Sequence, residues 1–276
     1  MEKVIFLKGG LGNQMFQWAF LRYIEREYEV TATLSRDYID KDVLRTLDLE
    51  LFELDSEVTI SLLRGPRKLL FFITRVISKL TNINALTCVS GNFLSRRAIF
   101  FDGYWQNPRF YSEVFEKICC DFTLKSEPSP GFNAKCSAQL LKRNSIAIHI
   151  RRGDYYSSPA NEKYRVIRHN YFLDAVEFLK TKLSVNKVNI AVFTDDKEWV
   201  KKEFDGKLDY IIMDEGSATA DLIMMSSFRN IIISNSSFSW WAAALSPQGK
   251  NVVMPEFWVE GVPSQAMALE NWFILK

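Results

Sequence analysis

From Ser145 to Met254 the sequence alternates short apolar runs with amphipathic stretches of helical length, and that alternation leaves few folds open. The runs "SIAIHI", "VNIAVF", "DYIIM", "NIIIS" and "NVVM" are rich in Ile and Val. Between them lie helix-like segments: Tyr171 to Leu183, the stretch after Asp195, "DLIMMSSF" and "SWWAAAL". Strands joined by helices of this length pair in parallel, and a parallel sheet covered on both faces reads as unbroken apolar runs. The second half is therefore expected to be a Rossmann-like α/β domain, with ligands at the C-terminal ends of its strands.

The first half starts the same way. "KVIFLK" suits a buried strand, "GGLGN" a tight turn, Met15 to Ile24 a helix, and "VTATL" a second strand. From Asp40 to Leu80 the pattern is mainly helical. Within it "SLLRGPRKLLFFITRVISKL", residues 61–80, mixes Arg64, Arg67, Lys68, Arg75 and Lys79 with apolar residues. Such a segment packs one face on a core, the reading preferred here, or makes peripheral contact with an anionic membrane surface. "KSEPSPGFN", residues 125–133, concentrates Pro, Ser and Gly and is the best linker, which divides the chain into domains 1–130 and 131–276.

Several function classes are disfavoured. With a net charge of +2 and scattered basic residues, nucleic acid is a poor partner. Cys88, Cys119, Cys120 and Cys136 form no CxxC pair and only His149 and His169 are histidines, so neither a zinc site nor a Ser-His-Asp hydrolase is expected. The triplet "DKD" at 40–42 reads as solvated surface, and no metal requirement is expected. The N-terminus enters a strand directly, without the regions of a secretory signal, and no apolar run has the length of a membrane span; a cytoplasmic location is expected.

The chemistry gathers at strand ends. "AIHIRRGDYY" runs an apolar strand into His149, Arg151, Arg152 and Asp154. Arginine grips phosphate through two parallel hydrogen bonds, and Asp154 can hold a guanidinium in place. "FTDD" puts Asp195 and Asp196 at the end of another strand, to bind a base or ribose edge, to cap the next helix through Asp195, or both. "ISNSSFSWWAAA" ends a strand in Ser234, Asn235, Ser236, Ser237 and Ser239 and enters an apolar helix, and amides at such a helix start bind anions. A diphosphate would satisfy both devices. Gly10 and Gly12 let the backbone of the first turn approach a ligand, with the Asn13 amide beside it. The turn is neither a dinucleotide fingerprint, since Met15 replaces the third glycine, nor a Walker loop.

"GGLGNQMFQWAF", "GYWQN", "HIRRGDYY", "FTDD" and "NSSFSWWAAAL", in this order and spacing, closely resemble the bacterial α-1,2-fucosyltransferases of glycosyltransferase family 11, and the likeness covers nearly the whole chain, "LRTLDLELFEL" included. The resemblance implies a GT-B architecture, two Rossmann-like domains facing a cleft. It also implies inverting, metal-independent transfer of L-fucose from GDP-fucose to the 2-hydroxyl of a galactose-terminated oligosaccharide or lipid-linked glycan, without a cofactor. The His-x-Arg-Arg motif is shared with α-1,6- and protein O-fucosyltransferases. By that likeness Arg151 holds the donor's β-phosphate, Ser236, Ser237 and Phe238 contact the diphosphate, an aspartate of the "TDD" type reads guanine, and Asn13 lies near the fucose. Asp154 is expected to support the arginines and is also a candidate base. Family members usually carry two histidines where this chain has Asn230 and Ile231, and a cysteine where it has Phe228. The alternatives are fucosyl transfer with another linkage or acceptor, and a non-catalytic GDP-sugar or glycan-binding protein.

Overall fold

The computed structural model describes residues 2–43, 45–55, 57–81, 86–89, 95–107, 110–157, 159–168, 170–246 and 251–276. The chain divides into two compact units, Met1–Ser126 and Glu127–Lys276, the division falling inside the 125–133 linker, four residues before the boundary read from the sequence.

The first unit is built on a parallel sheet of β1 (Lys3–Phe6), β2 (Ala32–Ser35), β3 (Ile60–Ser61), β4 (Thr87–Cys88) and β5 (Phe100–Phe101), in the order β3-β2-β1-β5-β4. Its helices are α1 (Leu11–Tyr28), α2 (Gly65–Thr81) and α3 (Phe115–Asp121). Helix α1 is buried along most of its length, with Trp18, Phe16 and Phe20 fully enclosed. Two of its buried residues are glutamines that clamp backbone. Gln14 donates to Thr46 O at 2.7 Å and accepts from Asp48 N at 3.1 Å. Gln17 accepts from Lys8 N at 3.0 Å and donates to Lys8 O and Gly103 O.

The expected helix from Asp40 onward is not there. Among the described residues of this stretch there are 3-10 turns at Ile39–Lys41 and Asp48–Leu51 and the short strand β3, and α-helix begins at Gly65. The Leu residues of this stretch belong to no helical stripe: Leu49 and Phe52 are buried while Leu51 is exposed, and Gln14 holds the loop through its backbone.

The second unit contains α4 (Phe132–Leu141), β6 (Ser145–Ile150), α5 (Gly153–Ser157), α6 (Tyr171–Leu183), β7 (Asn189–Thr194), α7 (Lys197–Phe204), β8 (Tyr210–Ile212), α8 (Ala218–Ser226), β9 (Asn230–Ile232), α9 (Ser237–Ala244), β10 (Asn251–Pro255), the hairpin β11 (Phe257–Val259) and β12 (Val262–Pro263), and β13 (Phe273–Leu275). Its parallel sheet runs β13-β10-β9-β6-β7-β8. The edge strand β13 was not anticipated from the sequence. All of β6 is buried, and its residues alternate between faces: Ile146, Ile148 and Ile150 pack on α6 through Phe172, Val176 and Leu179, so His149 points to the other side. The chain starts at β6, builds outward through β7 and β8, then returns to β9 on the other side of β6. Ligands of open parallel sheets sit at such a reversal.

"FFDGYWQN" supplies β5 and the turn after it. Trp105 has a left-handed backbone (φ 55°), is buried, and stacks on Phe20 with centroids 4.2 Å apart. A Cβ on Gly103 would stand 2.7 Å from the Trp105 ring, so only glycine leaves the indole room. Gly103→Ala is expected to lower stability by about 1–3 kcal/mol, as overpacking of a rigid core does; a urea midpoint unchanged from the parent would show that the indole yields.

Candidate functional site

The reversal point of the second unit is bridged by side chains. His149, at the C-terminal end of β6, hydrogen bonds through Nδ1 to Ser234 Oγ at 2.8 Å, just beyond β9, and its ring lies 5.0 Å from that of Phe238 on α9. Burial, reinforced by the Arg151 guanidinium, lowers the His149 pKa to about 3, so the imidazole is neutral at physiological pH.

The arginines leave β6 beside the carboxylates that leave β7, because the strands pair Ile150 with Thr194. Arg151 Nη1 lies 2.9 Å from Asp195 Oδ2, and Asp195 Oδ1 accepts from the Arg152 amide at 2.8 Å. Gly153 makes that approach possible: a Cβ there would sit 2.9 Å from Asp195 Oδ2. Arg152 Nε lies 3.2 Å from Asp196 Oδ2, and its guanidinium stands over the rings of Tyr156 at 3.9 Å and Trp199 at 4.4 Å. The cap of α7 is Asp196, which accepts from Trp199 N at 3.0 Å; it is not Asp195, the residue the sequence suggested for that role. Asp154 belongs to α5, and its side chain lies outside the described residues, as does His169.

The serine turn divides its labour. Ser234 serves His149, Ser239 donates to Ser234 O and Ser236 O, and Asn235 is a staple whose amide donates to Tyr164 O and Trp258 O, each at 2.9 Å. Ser236 is the N-terminal cap position of α9 but makes no side-chain cap bond, so the first amides of that helix, beside Ser236 and Ser237, are left for another acceptor. Arg151, Arg152, Tyr155, Tyr156, Trp199 and Asn235 line a cavity that also includes Arg165 and Arg168, and among the described residues none of its wall is acidic. Arg165 and Arg168 were not singled out in the sequence; the signal was "RVIRHN", two more cations shortly after the first pair.

In the first unit, Gly10 is the extended residue before α1, and Gly12 and Asn13 lie in its first turn. The Asn13 side chain folds over Gly9, whose φ of 79° and missing side chain admit it, and Asn13 Oδ1 accepts from Gln106 Nε2 at 2.7 Å. The Asn13 amide therefore has its oxygen engaged and its NH₂ free to donate. Alongside, buried Asp102 at the end of β5 takes Lys8 Nζ at 2.7 Å, Arg75 Nε at 2.9 Å and Tyr38 Oη at 3.1 Å, and Lys8 stands over the Tyr104 ring at 4.9 Å. Of the two aromatics in "GYWQN", Trp105 is core, whereas Tyr104 is exposed and could stack on a sugar face.

Asn230 and Ile231, which replace the usual family histidines, are buried at the N-terminal end of β9, the edge opposite the ligand side. Asn230 donates to Arg143 O and Ser145 O and accepts from Asn251, and Phe228 packs edge-on against Phe193. Among the described residues no group of three or more His, Cys, Asp or Glu could hold a metal ion, and no helix is long and apolar enough to cross a membrane.

The family model for glycosyl transferase family 11 matches residues 3–276. The α-1,2-colitosyltransferase of Escherichia coli is 30% identical, over 92% of this chain and 91% of its own length. The O-antigen biosynthesis glycosyltransferase WbnK of the same organism is 25% identical, over 98% and 99%. Among solved structures, the fucosyltransferase NodZ from Bradyrhizobium superposes with a TM-score of 0.56 at 18% identity, covering 90% of this chain and 94% of NodZ, and NodZ soaked with GDP-fucose gives 0.54. The fold is of the GT-B type, with two Rossmann-like α/β units.

The depressed His149 pKa fixes a pH dependence. A histidine harder to protonate when folded contributes stability fully above its unfolded pKa of 6.5, and that contribution is lost as pH falls toward 3. Denaturant unfolding at stepped pH should therefore show stability falling less steeply below pH 6.5 in His149→Asn than in the parent; equal slopes would mean the ring titrates normally in the fold.

Proposed function

The chain belongs to glycosyltransferase family 11, and from that premise we propose that it transfers L-fucose from GDP-fucose to the 2-hydroxyl of a terminal β-galactoside, with inversion and without a metal. The observation that carries the reading is the pair of anion devices on one sheet edge: Arg151 braced by Asp195, and the uncapped start of α9 beside Ser236 and Ser237. Breaking the bond from fucose to GDP leaves charge on the β-phosphate, and preorganised donors aimed there lower the barrier most. Asp195 and Asp196 brace the two guanidiniums, so only a guanine edge reaching past Arg151 would meet them. The neutral His149–Ser234 pair keeps the strand ends together without adding a charge that would compete with the arginines. Asn13, its oxygen held by Gln106, presents N–H donors to a sugar oxygen. Asp154 remains the proposed support for the arginines and the candidate base for the acceptor hydroxyl.

Arg151→Ala is expected to reduce kcat on the order of 10²–10³-fold, the loss measured when one donor is removed from a comparable oxyanion site. Steady-state turnover of GDP-fucose with a panel of β-galactosides, in the presence of EDTA, tests this together with metal independence. A loss of less than about tenfold would remove Arg151 from the leaving-group site.

The 30% identical α-1,2-colitosyltransferase supports a second reading with the same linkage and a different donor. Colitose is fucose lacking the 3-hydroxyl. A site that hydrogen bonds the 3-hydroxyl strongly prefers GDP-fucose, because its partner is left unpaired by the deoxy sugar. Competition between the two GDP-sugars separates the readings: a large preference for GDP-fucose supports the first, and a preference for GDP-colitose reassigns the donor.

A further inference from the structure

Helix α2 has its polarity reversed. Its inward face is Phe71, stacked on Phe6 at 4.1 Å, together with the hydroxyl residues Thr74 and Ser78, and Thr74 Oγ1 lies 2.6 Å from Thr87 Oγ1. Its outward face is Leu69, Phe72, Ile73, Val76, Ile77 and Leu80, spaced three and four apart as one continuous stripe and between 48% and 81% exposed. A surface helix of a water-soluble protein shows the opposite arrangement, and a contiguous apolar patch rimmed by polar groups marks a contact surface.

The charge around the stripe selects what covers it. Residues 61–81 carry five Lys and Arg and no Asp or Glu. Arg64 is exposed at the N-terminal end, next to Arg67 and Lys68, which also reach Glu2 and Asp37. A second copy packed across a two-fold axis would lay these cations against their own mates, with no carboxylate on the segment to answer them. Anionic headgroups answer them, and the acyl boundary below takes the stripe. We infer that α2 lies in the plane of an anionic lipid surface, with Leu69 to Leu80 facing the acyl chains and Arg64 among the headgroups. This docking is independent of which sugar is transferred.

The full chain, floated with vesicles of phosphatidylcholine alone or mixed with phosphatidylglycerol, tests it. Binding to the mixed vesicles is expected, weaker at high salt, and reduced roughly tenfold or more by Ile73→Glu with Ile77→Glu. These positions face outward, so the variants should unfold at the parent's denaturant midpoint. Val76→Trp should shift its indole emission to the blue on mixed vesicles. Absence of binding, an unmoved emission, or equal binding to phosphatidylcholine alone would overturn the inference. So would a dimer in vesicle-free buffer that Ile73→Glu separates, since the stripe would then be covered by a second copy.

Discussion

The register of β6 on β7 controls the placement of charge at the candidate donor site. Ile150 pairs with Thr194, so the residues that follow, Arg151 and Asp195, leave the sheet abreast and meet at 2.9 Å. A slip of one residue would turn the buried isoleucines of β6 to the other face and exchange His149 with its neighbours, and the core packed against α6 forbids it. Packing in the interior thus fixes the geometry of polar groups that have left it. Two guanidiniums beside a pocket would repel each other in the absence of an anion, and each has a carboxylate partner supplied by the neighbouring strand. The diphosphate proposed to bind here would share an arrangement already built rather than order flexible side chains.

Two sequence strings that look like separate motifs turn out to be one structural unit. The turn after β1 and the turn after β5 meet through Gln17, which bonds Lys8 and Gly103 at once, and through Gln106, which holds Asn13. Gly9 and Gly103 are glycines for the same reason: a side chain a little further along the same string, Asn13 or Trp105, fills the space where a Cβ would stand. The residue types of both strings follow from that mutual packing, and Asn13 and Tyr104 are what it leaves directed outward.

Much of this was legible beforehand, and the failures have physical causes. Alternating apolar runs revealed the second sheet because a strand buried on both faces has no polar positions to blur it. Charges at the ends of two strands marked a place where they had to meet, because buried charge without a partner is costly, and Arg151 and Arg152 do meet Asp195 and Asp196. The buried glutamines escaped notice because polar residues on an apolar helix look like its solvent face, and only tertiary structure shows the backbone groups they satisfy. The role of Trp105 was not legible because an aromatic near a glycine reads equally well as a sugar platform and as a core plug, and only its burial against Phe20 decides. The replacement of the family histidines by Asn230 and Ile231 could not be placed from sequence; both lie at the opposite end of β9, with Asn230 tied to the two strands beside it.

The His149–Ser234 bridge joins positions 85 residues apart. No early fragment of the chain contains both halves of the anion pocket, and closing so large a loop is entropically costly until the central strands have paired. The nucleotide proposed to bind there would recognise only the finished sheet. Ligand concentration should then pull the folding equilibrium itself, and the resistance of this half of the molecule to unfolding becomes a meter of occupancy.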